Sequence, residues 1–255
     1  NGIAVAPGTG DNMAGGLGLG VTAGDAIVSL GTSGTAFTTS PEQTHEPTGT
    51  VAGFADATGA FLPLVCTLNG ARNLVATAEV LGVSLAELSR LALSAEPGSQ
   101  GVTFLPYLEG ERTPPLPDAR GQLLGLTLPN MTPANLARAT IEGVLWSLAY
   151  GVEVLRQQVG EISSITLTGG ASQSDAVRQI ASAVFGLPIV VTDTFESVAV
   201  GAARQAAWAL TGTLPEWPVP VLSRHDPTDA DLRAAQEISE RYRSYLTAHF
   251  GSPQQ

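Results

Sequence analysis

Apolar and polar positions near the start of the chain alternate as they do in strands. Asp25–Ser40 contains two β-rich runs, AIVSL and TAFTTS, joined by the turn Gly31-Thr32-Ser33-Gly34, which is the pattern of a β-hairpin. Thr50–Val65 repeats the form around Ala57-Thr58-Gly59. These two hairpins predict an antiparallel sheet, and the apolar run Ile3–Ala6 predicts a further strand at the beginning of the chain.

Helical spacing follows. Ser84 and Glu87 have the spacing of a capping box before the helix SLAELSRLALS. Thr132 and Pro133 open a long helix. Its stripe of side chains three and four positions apart consists of Leu136, Thr140, Val144, Leu148, Val152, Leu155 and Val159.

Strands and helices alternate through the rest of the chain. The strand SSITLTGG precedes a helix from about Ser174 to Phe185, and the strand LPIVVTD precedes the helix SVAVGAARQAAWALTG. This order predicts parallel strands with crossover connections. LPEWPVPVL is expected to be an extended connector, and TDADLRAAQEISERYRSYL a charged surface helix. The pattern favours one α/β domain with a mixed sheet over two domains.

Composition narrows the classes of function. The 255 residues are 44% apolar and carry a net charge of −11, which repels phosphate backbones and anionic membranes and argues against nucleic acid or a membrane as partner. All 12 basic residues are arginine. The absence of lysine excludes a Walker A lysine, a protein-kinase strand lysine and a Schiff-base lysine. A bound phosphate would therefore depend on backbone N–H groups, arginine or a metal ion.

Cysteine and histidine indicate no metal chemistry. Cys66 is the single cysteine and lies in the apolar run FLPLVCTL, which favours a buried structural thiol over a nucleophile. One thiol without a disulfide partner fits a reducing, cytoplasmic compartment. His45, His225 and His249 are scattered without partners at ligand spacing, so zinc is not expected.

Four segments offer polar chemistry, and each has an ordinary structural interpretation beside it. Gly31–Gly34 presents backbone N–H groups and hydroxyls suited to phosphate, or is a plain hairpin turn. Gly169-Gly170 permits close approach of a ligand beside a helix start, or is an ordinary strand-to-helix turn. Asp11 is a reactive carboxylate beside a bare backbone, or a helix N-cap. Arg112, in YLEGERTPP, is a positioned cation or part of a loop salt bridge.

The combination and order of these segments resemble the second, nucleotide-binding half of the FGGY carbohydrate kinases. The most specific match is GQLLGLTLPNMTPANLARATIEG, Gly121–Gly143, which agrees with the family's C-terminal signature at its constrained positions, including Gly125, Asn135, Ala139, Glu142 and Gly143. GTGDN, LGTSG, LPYLEGERTP and LTGGASQS surround it in the family's order. The resemblance implies an α/β fold of the actin/hexokinase-like (ribonuclease H-like) ATPase class, with a mixed five-stranded sheet and helices on both faces.

The resemblance also implies residue roles. Asp11 matches the general base, and with Asn12 it would contact the sugar. The positions that match ATP-binding residues are Gly31, Thr32 and Ser33 of a phosphate loop, Gly70 in LNGARN, Gly169, Gly170 and Ala171 of the adenosine motif, and Ser174 near the adenine edge. Magnesium is expected to accompany ATP, with no side chain of this chain assigned to it.

GDN and GERTP look most like the family members that phosphorylate D-xylulose, particularly those of actinobacteria, which the lysine-free composition also suits. Gluconate, ribulose and glycerol remain alternative substrates, and a non-catalytic actin-like nucleotide-binding module is the alternative from another class. Family members have a preceding domain that carries a first phosphate loop and most of the sugar pocket. Residues 1–255 are therefore expected to be the C-terminal nucleotide-binding domain alone, a fragment whose exposed cleft face favours a homodimer.

Overall fold

A seven-stranded mixed sheet runs through the part of the chain that the computed structural model describes, residues 2–193 and 196–251. Its strands are β1 (Asp25–Leu30), β2 (Gly34–Thr38), β3 (Ala52–Ala55), β4 (Phe61–Thr67), β7 (Ser164–Thr168), β8 (Ile189–Thr192) and β9 (Val221–His225). Strands β5 (Thr103–Leu105) and β6 (Gln122–Leu124) form a separate antiparallel pair.

The strand order β3-β4-β2-β1-β7-β8-β9 confirms the main topological predictions. β1 with β2 and β3 with β4 are the two expected antiparallel hairpins. β7 is parallel to both β1 and β8, as the crossover pattern requires.

The prediction of five strands is wrong, because β3 and β9 each extend the sheet at one edge. β3 was expected as part of the second hairpin, whereas β9 was not predicted. Its residues are all exposed or half-buried, so it lacks the alternation that marks a strand with one buried face. β9 begins at Val221, inside the Pro-rich segment LPEWPVPVL that was expected to be only a connector, and it pairs antiparallel with β8.

Helices cover both faces of the sheet, as expected. They are α1 (Asp11–Leu19), α2 (Ala71–Leu81), α3 (Leu85–Ser94), α4 (Pro133–Val159), α5 (Asp175–Phe185), α6 (Ser197–Thr211) and α7 (Asp229–Phe250). The sheet divides the buried apolar side chains into two clusters, one on each face. On β1, Ala26, Val28 and Leu30 belong to a large cluster with α2 to α5 and α7. Ile27 points the other way, into a small cluster of Leu19, Ile27, Phe37, Leu62 and Leu64 beneath α1.

Side-chain caps fix several helix starts. The Thr132 hydroxyl accepts a hydrogen bond from the Asn135 N–H, so α4 begins where predicted. The Ser84 hydroxyl accepts from the Glu87 N–H at 3.2 Å. The Glu87 carboxylate pairs with Arg90 instead of turning back to Ser84, so only half of the expected capping box appears.

The beginning of the chain differs from the prediction. Ile3–Ala6 forms no strand, and Ile3 and Val5 are about 85% and 84% exposed. Gly10 is the N-cap of α1, so Asp11 is the first helical residue and not the cap. None of the helices in the described ranges is long and apolar enough to cross a membrane.

Candidate active site at one edge of the sheet

Three loops open at the same edge of the sheet. The parallel register pairs Ser29 with Thr168, so β1 and β7 end together. β4 ends beside the start of β2, where Thr67 pairs with Gly34. The loops 31–33, 68–70 and 169–171 that follow these strand ends are therefore neighbours, at the carboxyl edge where open α/β sheets bind ligands.

Gly70 holds the start of α2 against the predicted phosphate loop. It is the N-cap of that helix, and the next amide, Ala71 N–H, donates to the Gly31 carbonyl at 2.7 Å. A Cβ at Gly70 would lie 2.6 Å from the Ser33 carbonyl carbon and 2.7 Å from the Gly31 oxygen. Only glycine fits there, so the predicted site residues Gly31, Ser33 and Gly70 form one packed unit.

Gly169 and Gly170 have different surroundings. Gly169 has a φ of +87°, and a Cβ on it would lie 2.6 Å from the Leu30 carbonyl oxygen, so its lack of a side chain is a requirement of the fold. At Gly170 a Cβ would meet nothing within 4 Å. A cavity of about 220 Å³ lies beside the turn, with Gly169, Gly170, Gln173, Arg178 and Thr192 in its lining. Ala171 continues the turn and packs against the large core.

The phosphate loop offers hydrogen-bond donors. Thr32 and Ser33 are exposed, and within residues 2–193 and 196–251 their backbone N–H groups have no protein acceptor. Unpaired N–H groups on successive residues of a turn form a concavity suited to anions. The turn is a hairpin turn whose exposed N–H groups are available to an anion, and the role of Gly31, Thr32 and Ser33 in binding phosphate stays a prediction.

Asp11 and Asn12 lie on α1, which covers the face of the sheet opposite to α4. They begin α1, and the exposed Asp11 carboxylate accepts from the Asn12 N–H at 2.8 Å and from its side-chain amide at 3.3 Å. α1 crosses α6 closely, because a Cβ at Gly18 would collide with the Ser197 carbonyl and one at Gly201 with the Ala14 carbonyl. The two residues are thus carried by a separate helical layer, and within the described ranges no hydrogen bond joins them to the glycine loops.

The hydroxyl of Ser174 is occupied by structural hydrogen bonds. It donates to the Ser89 hydroxyl at 3.0 Å and, as the N-cap of α5, accepts from the Val177 N–H. The structure thus explains this serine without a ligand, and its position near adenine stays a prediction.

Sequence reasoning missed Glu111, which shapes the loop before Gly70. Its side chain is 1% exposed. One carboxylate oxygen accepts from the Leu68 N–H at 2.6 Å and the Arg112 N–H at 2.7 Å. The other accepts from the Asn69 backbone and side-chain N–H groups at 3.3 and 2.9 Å. Four N–H donors stabilise this buried carboxylate in place of a positively charged partner. In the sequence, the only sign of its role was its position next to Arg112.

Arg112 forms no salt bridge within the described residues, so the loop-salt-bridge interpretation is not supported. Its charge acts on Cys66, where burial raises the pKa of the thiol and Arg112 partly opposes that rise. A raised pKa leaves little thiolate at neutral pH and fits the structural interpretation of Cys66.

The Gly121–Gly143 segment serves packing. The buried Glu142 carboxylate accepts from the Gly98 N–H at 2.9 Å and from Arg138 Nε at 2.7 Å. A Cβ at Gly125 or Gly143 would collide with the carbonyl of Gly101 or Phe104. The segment thus anchors α4 to the turn around Gly98 and to β5.

Comparison with known proteins gives consistent matches. Residues 26–210 match the profile described as the FGGY family of carbohydrate kinases, C-terminal domain. A xylulose kinase of Streptomyces coelicolor is 44% identical, over 83% of this chain and 42% of its own length. One from Streptomyces rubiginosus is 42% identical, over 94% and 47%.

A solved structure agrees with these sequence matches. The crystal structure of xylulose kinase from Bifidobacterium adolescentis superposes with a TM-score of 0.82 at 45% identity, over 91% of this chain and 47% of that one. The match confirms the fold class expected from the sequence. The chain spans less than half the length of each of these three proteins.

Proposed function

Because this chain belongs to the FGGY family of carbohydrate kinases, we propose that the protein it forms part of transfers the γ-phosphate of ATP to D-xylulose, giving D-xylulose 5-phosphate and ADP. One observation carries the nucleotide half of this proposal. The loops at Gly31, Gly70 and Gly169 lie at one sheet edge, where the exposed N–H groups of Thr32 and Ser33 have no acceptor among the residues that the structure describes.

The loops fit the two ends of ATP. The N–H groups of Thr32 and Ser33 would hold phosphate oxygens, and charge-assisted hydrogen bonds of this kind are the strong ones. Open space over Gly170 and the adjoining cavity would accept the adenosine. Gly70 and Gly169 would act indirectly, by keeping the phosphate loop in place.

Magnesium would accompany the nucleotide. Within the described residues no three side chains of the types that bind metals come together, so the ion would be held mainly by phosphate oxygens, and we assign no side chain of this chain to it. When bound, it supplies positive charge that neutralises the transferring phosphoryl group.

Asp11 would act as the general base. Its carboxylate would take the proton from the attacking sugar hydroxyl as the new P–O bond forms, while the bond to the bridging oxygen breaks and ADP leaves. The position suits this role, since the carboxylate is exposed at a helix start and its hydrogen bonds come from neighbouring Asn12. Asn12 would orient both the carboxylate and the sugar.

The choice of sugar rests on likeness. Xylulose is favoured by GDN, by GERTP and by the names of the relatives. Gluconate, ribulose and glycerol are the alternatives. We propose that residues 1–255 form the nucleotide-binding domain and that the rest of the protein supplies most of the sugar pocket.

Replacing Asp11 in the full-length protein tests this proposal. Asp11→Asn should lower kcat for xylulose by about 10²- to 10⁴-fold, the usual contribution of a general base, and leave the Kd for ATP nearly unchanged. Asp229→Asn is the matched control, since Asp229 is also an exposed first residue of a helix, and it should keep full activity. Coupled ADP release and calorimetry provide the two readouts.

Two results would contradict the proposal. Phosphorylation of xylulose at an undiminished rate by the Asp11→Asn variant would remove Asp11 as the base. Preference of the wild-type protein for another sugar would correct the substrate and leave the nucleotide site intact.

A further inference from the structure

Arg72 is the arginine that touches the predicted phosphate loop. It lies in the first turn of α2, which Gly70 packs against that loop. Its Nε donates to the Thr32 carbonyl at 3.4 Å. Thr32 and Arg72 also line a cavity of about 330 Å³ together with Ala71, Val75, Ala76 and Glu79. The guanidinium therefore contacts the same loop whose Thr32 and Ser33 N–H groups have no acceptor among the described residues.

The guanidinium of Arg72 has a hydrogen-bond donor without a partner among the described residues. Nη1 pairs with Glu109, and Nη2 has no acceptor within the parts of the chain that the structure describes. The side chains of Arg72 and Glu109 are 35% and 65% exposed. An ion pair this open to water contributes little to folding, so stability alone gives a weak reason for a cation at this position.

The composition makes this cation more significant. A chain of net charge −11 without lysine has few cations to offer a polyphosphate, and arginine matches phosphate geometry well through its planar array of donors.

We propose that Arg72 binds the phosphates of the nucleotide and that Glu109 competes with them for its guanidinium. Glu109 holds Arg72 beside the loop while the site is empty. When ATP enters, the guanidinium exchanges the carboxylate for phosphate oxygens, so the ion pair with Glu109 lowers the affinity for ATP slightly. The inference rests on the proposed function, and it adds a residue and a competing acid to the nucleotide site.

Nucleotide binding by variants of the full-length protein tests the proposal. Arg72→Gln should raise the Kd for ATP about tenfold, the loss expected for one charge-assisted contact, and leave the Kd for adenosine unchanged. Glu109→Gln should lower the Kd for ATP about two- to threefold, because Arg72 no longer has to leave a carboxylate. Arg72→Lys should recover part of the affinity.

Arg90→Gln is the matched control. Arg90 is also an exposed helical arginine paired with a glutamate, Glu87, but on α3, and its removal should leave both Kd values unchanged. Isothermal titration calorimetry with ATP and with adenosine separates a phosphate contact from a general disturbance of the site.

Each other outcome has a definite meaning. An Arg72→Gln variant that binds ATP within twofold of wild type would overturn the inference and leave the proposed kinase standing. Equal losses for ATP and adenosine would also overturn it, since Arg72 would then only shape the loop. A wild-type protein that binds no ATP would overturn the proposed function, and with it this inference.

Discussion

At the scale of single residues, Gly169 and Gly170 are neighbours with different reasons to be glycine. The backbone of Leu30 leaves no room for a side chain at Gly169, and its φ is +87°. At Gly170, by contrast, no atom of the described residues lies within 4 Å of the position that a Cβ would occupy. A ligand that packs on the backbone would explain why the second position is also bare.

Alanine substitutions at the two positions should therefore separate fold from ligand. Gly170→Ala should leave the melting temperature of the full-length protein nearly unchanged and weaken ATP binding, because the new methyl group occupies space assigned to adenosine. Gly169→Ala should destabilise the protein, by about 1 to 3 kcal/mol for strain and overpacking. Scanning calorimetry and ATP titration measure both effects, and unaltered ATP affinity in Gly170→Ala would place the adenosine elsewhere.

At the scale of elements, the crossing of α1 and α6 carries Asp11. Gly18 and Gly15 both lie on α1 at this contact, but they differ in the room available. A Cβ at Gly18 would collide with the Ser197 carbonyl, whereas one at Gly15 would lie 3.7 Å from the Ser197 hydroxyl, an ordinary contact. The position of Asp11 thus depends on close backbone packing.

Gly18→Ala should force the two helices apart and destabilise the full-length protein by about 1 to 3 kcal/mol, with a lower kcat because α1 carries the proposed base. Gly15→Ala is the matched control. It should be neutral or stabilising, since alanine is favoured over glycine inside a helix by about 1 kcal/mol. Urea unfolding and steady-state kinetics distinguish the variants, and equal stabilities would show that the crossing adapts to a methyl group.

Elements with a strong pattern or cap could be predicted from the sequence. The hairpins, α4 and the parallel strands are of this kind. α2 was not predicted, because Gly70 gives its start no side-chain cap and its buried positions, Asn73, Leu74 and Ala78, include a polar residue. β5 and β6 have three residues each, too few for a period to show.

The same limit applies to the candidate site. Gly31, Gly70 and Gly169 could be identified through local motifs, and the structure packs Gly70 against Gly31 and Ser33 and Gly169 against the neighbouring Leu30. The roles of Glu111 and Arg72 depend on contacts across 43 and 40 positions of sequence. Such contacts leave no local pattern, so neither residue could be assigned from the sequence.

At the scale of the whole molecule, the chain contains one side of a proposed active site. Asp11, Thr32 and Ser33 are exposed, and the chain spans about half the length of the relatives it matches. Phosphoryl transfer depends on positioning both substrates and on excluding water. The exposed surface of one domain provides neither for a sugar.

The 255-residue chain alone should therefore bind ATP weakly or not at all and phosphorylate no sugar, while the full-length protein does both. Coupled measurement of ADP release with and without xylulose compares the two, and circular dichroism confirms that the shorter chain is folded. Robust xylulose-dependent ADP release by the 255-residue chain would show that its own residues suffice.

The buried apolar clusters on the two faces of the sheet differ greatly in size, and this difference affects how easily the helices on each face can move. The predicted phosphate loop lies beside the large cluster around α4. Asp11 lies on α1, which packs on the sheet through the small cluster of five buried residues. Local opening costs less free energy where fewer apolar contacts must be broken. We therefore expect the layer of α1 and α6 to open more often than the layer of α4, which would allow the proposed base to shift relative to a bound nucleotide.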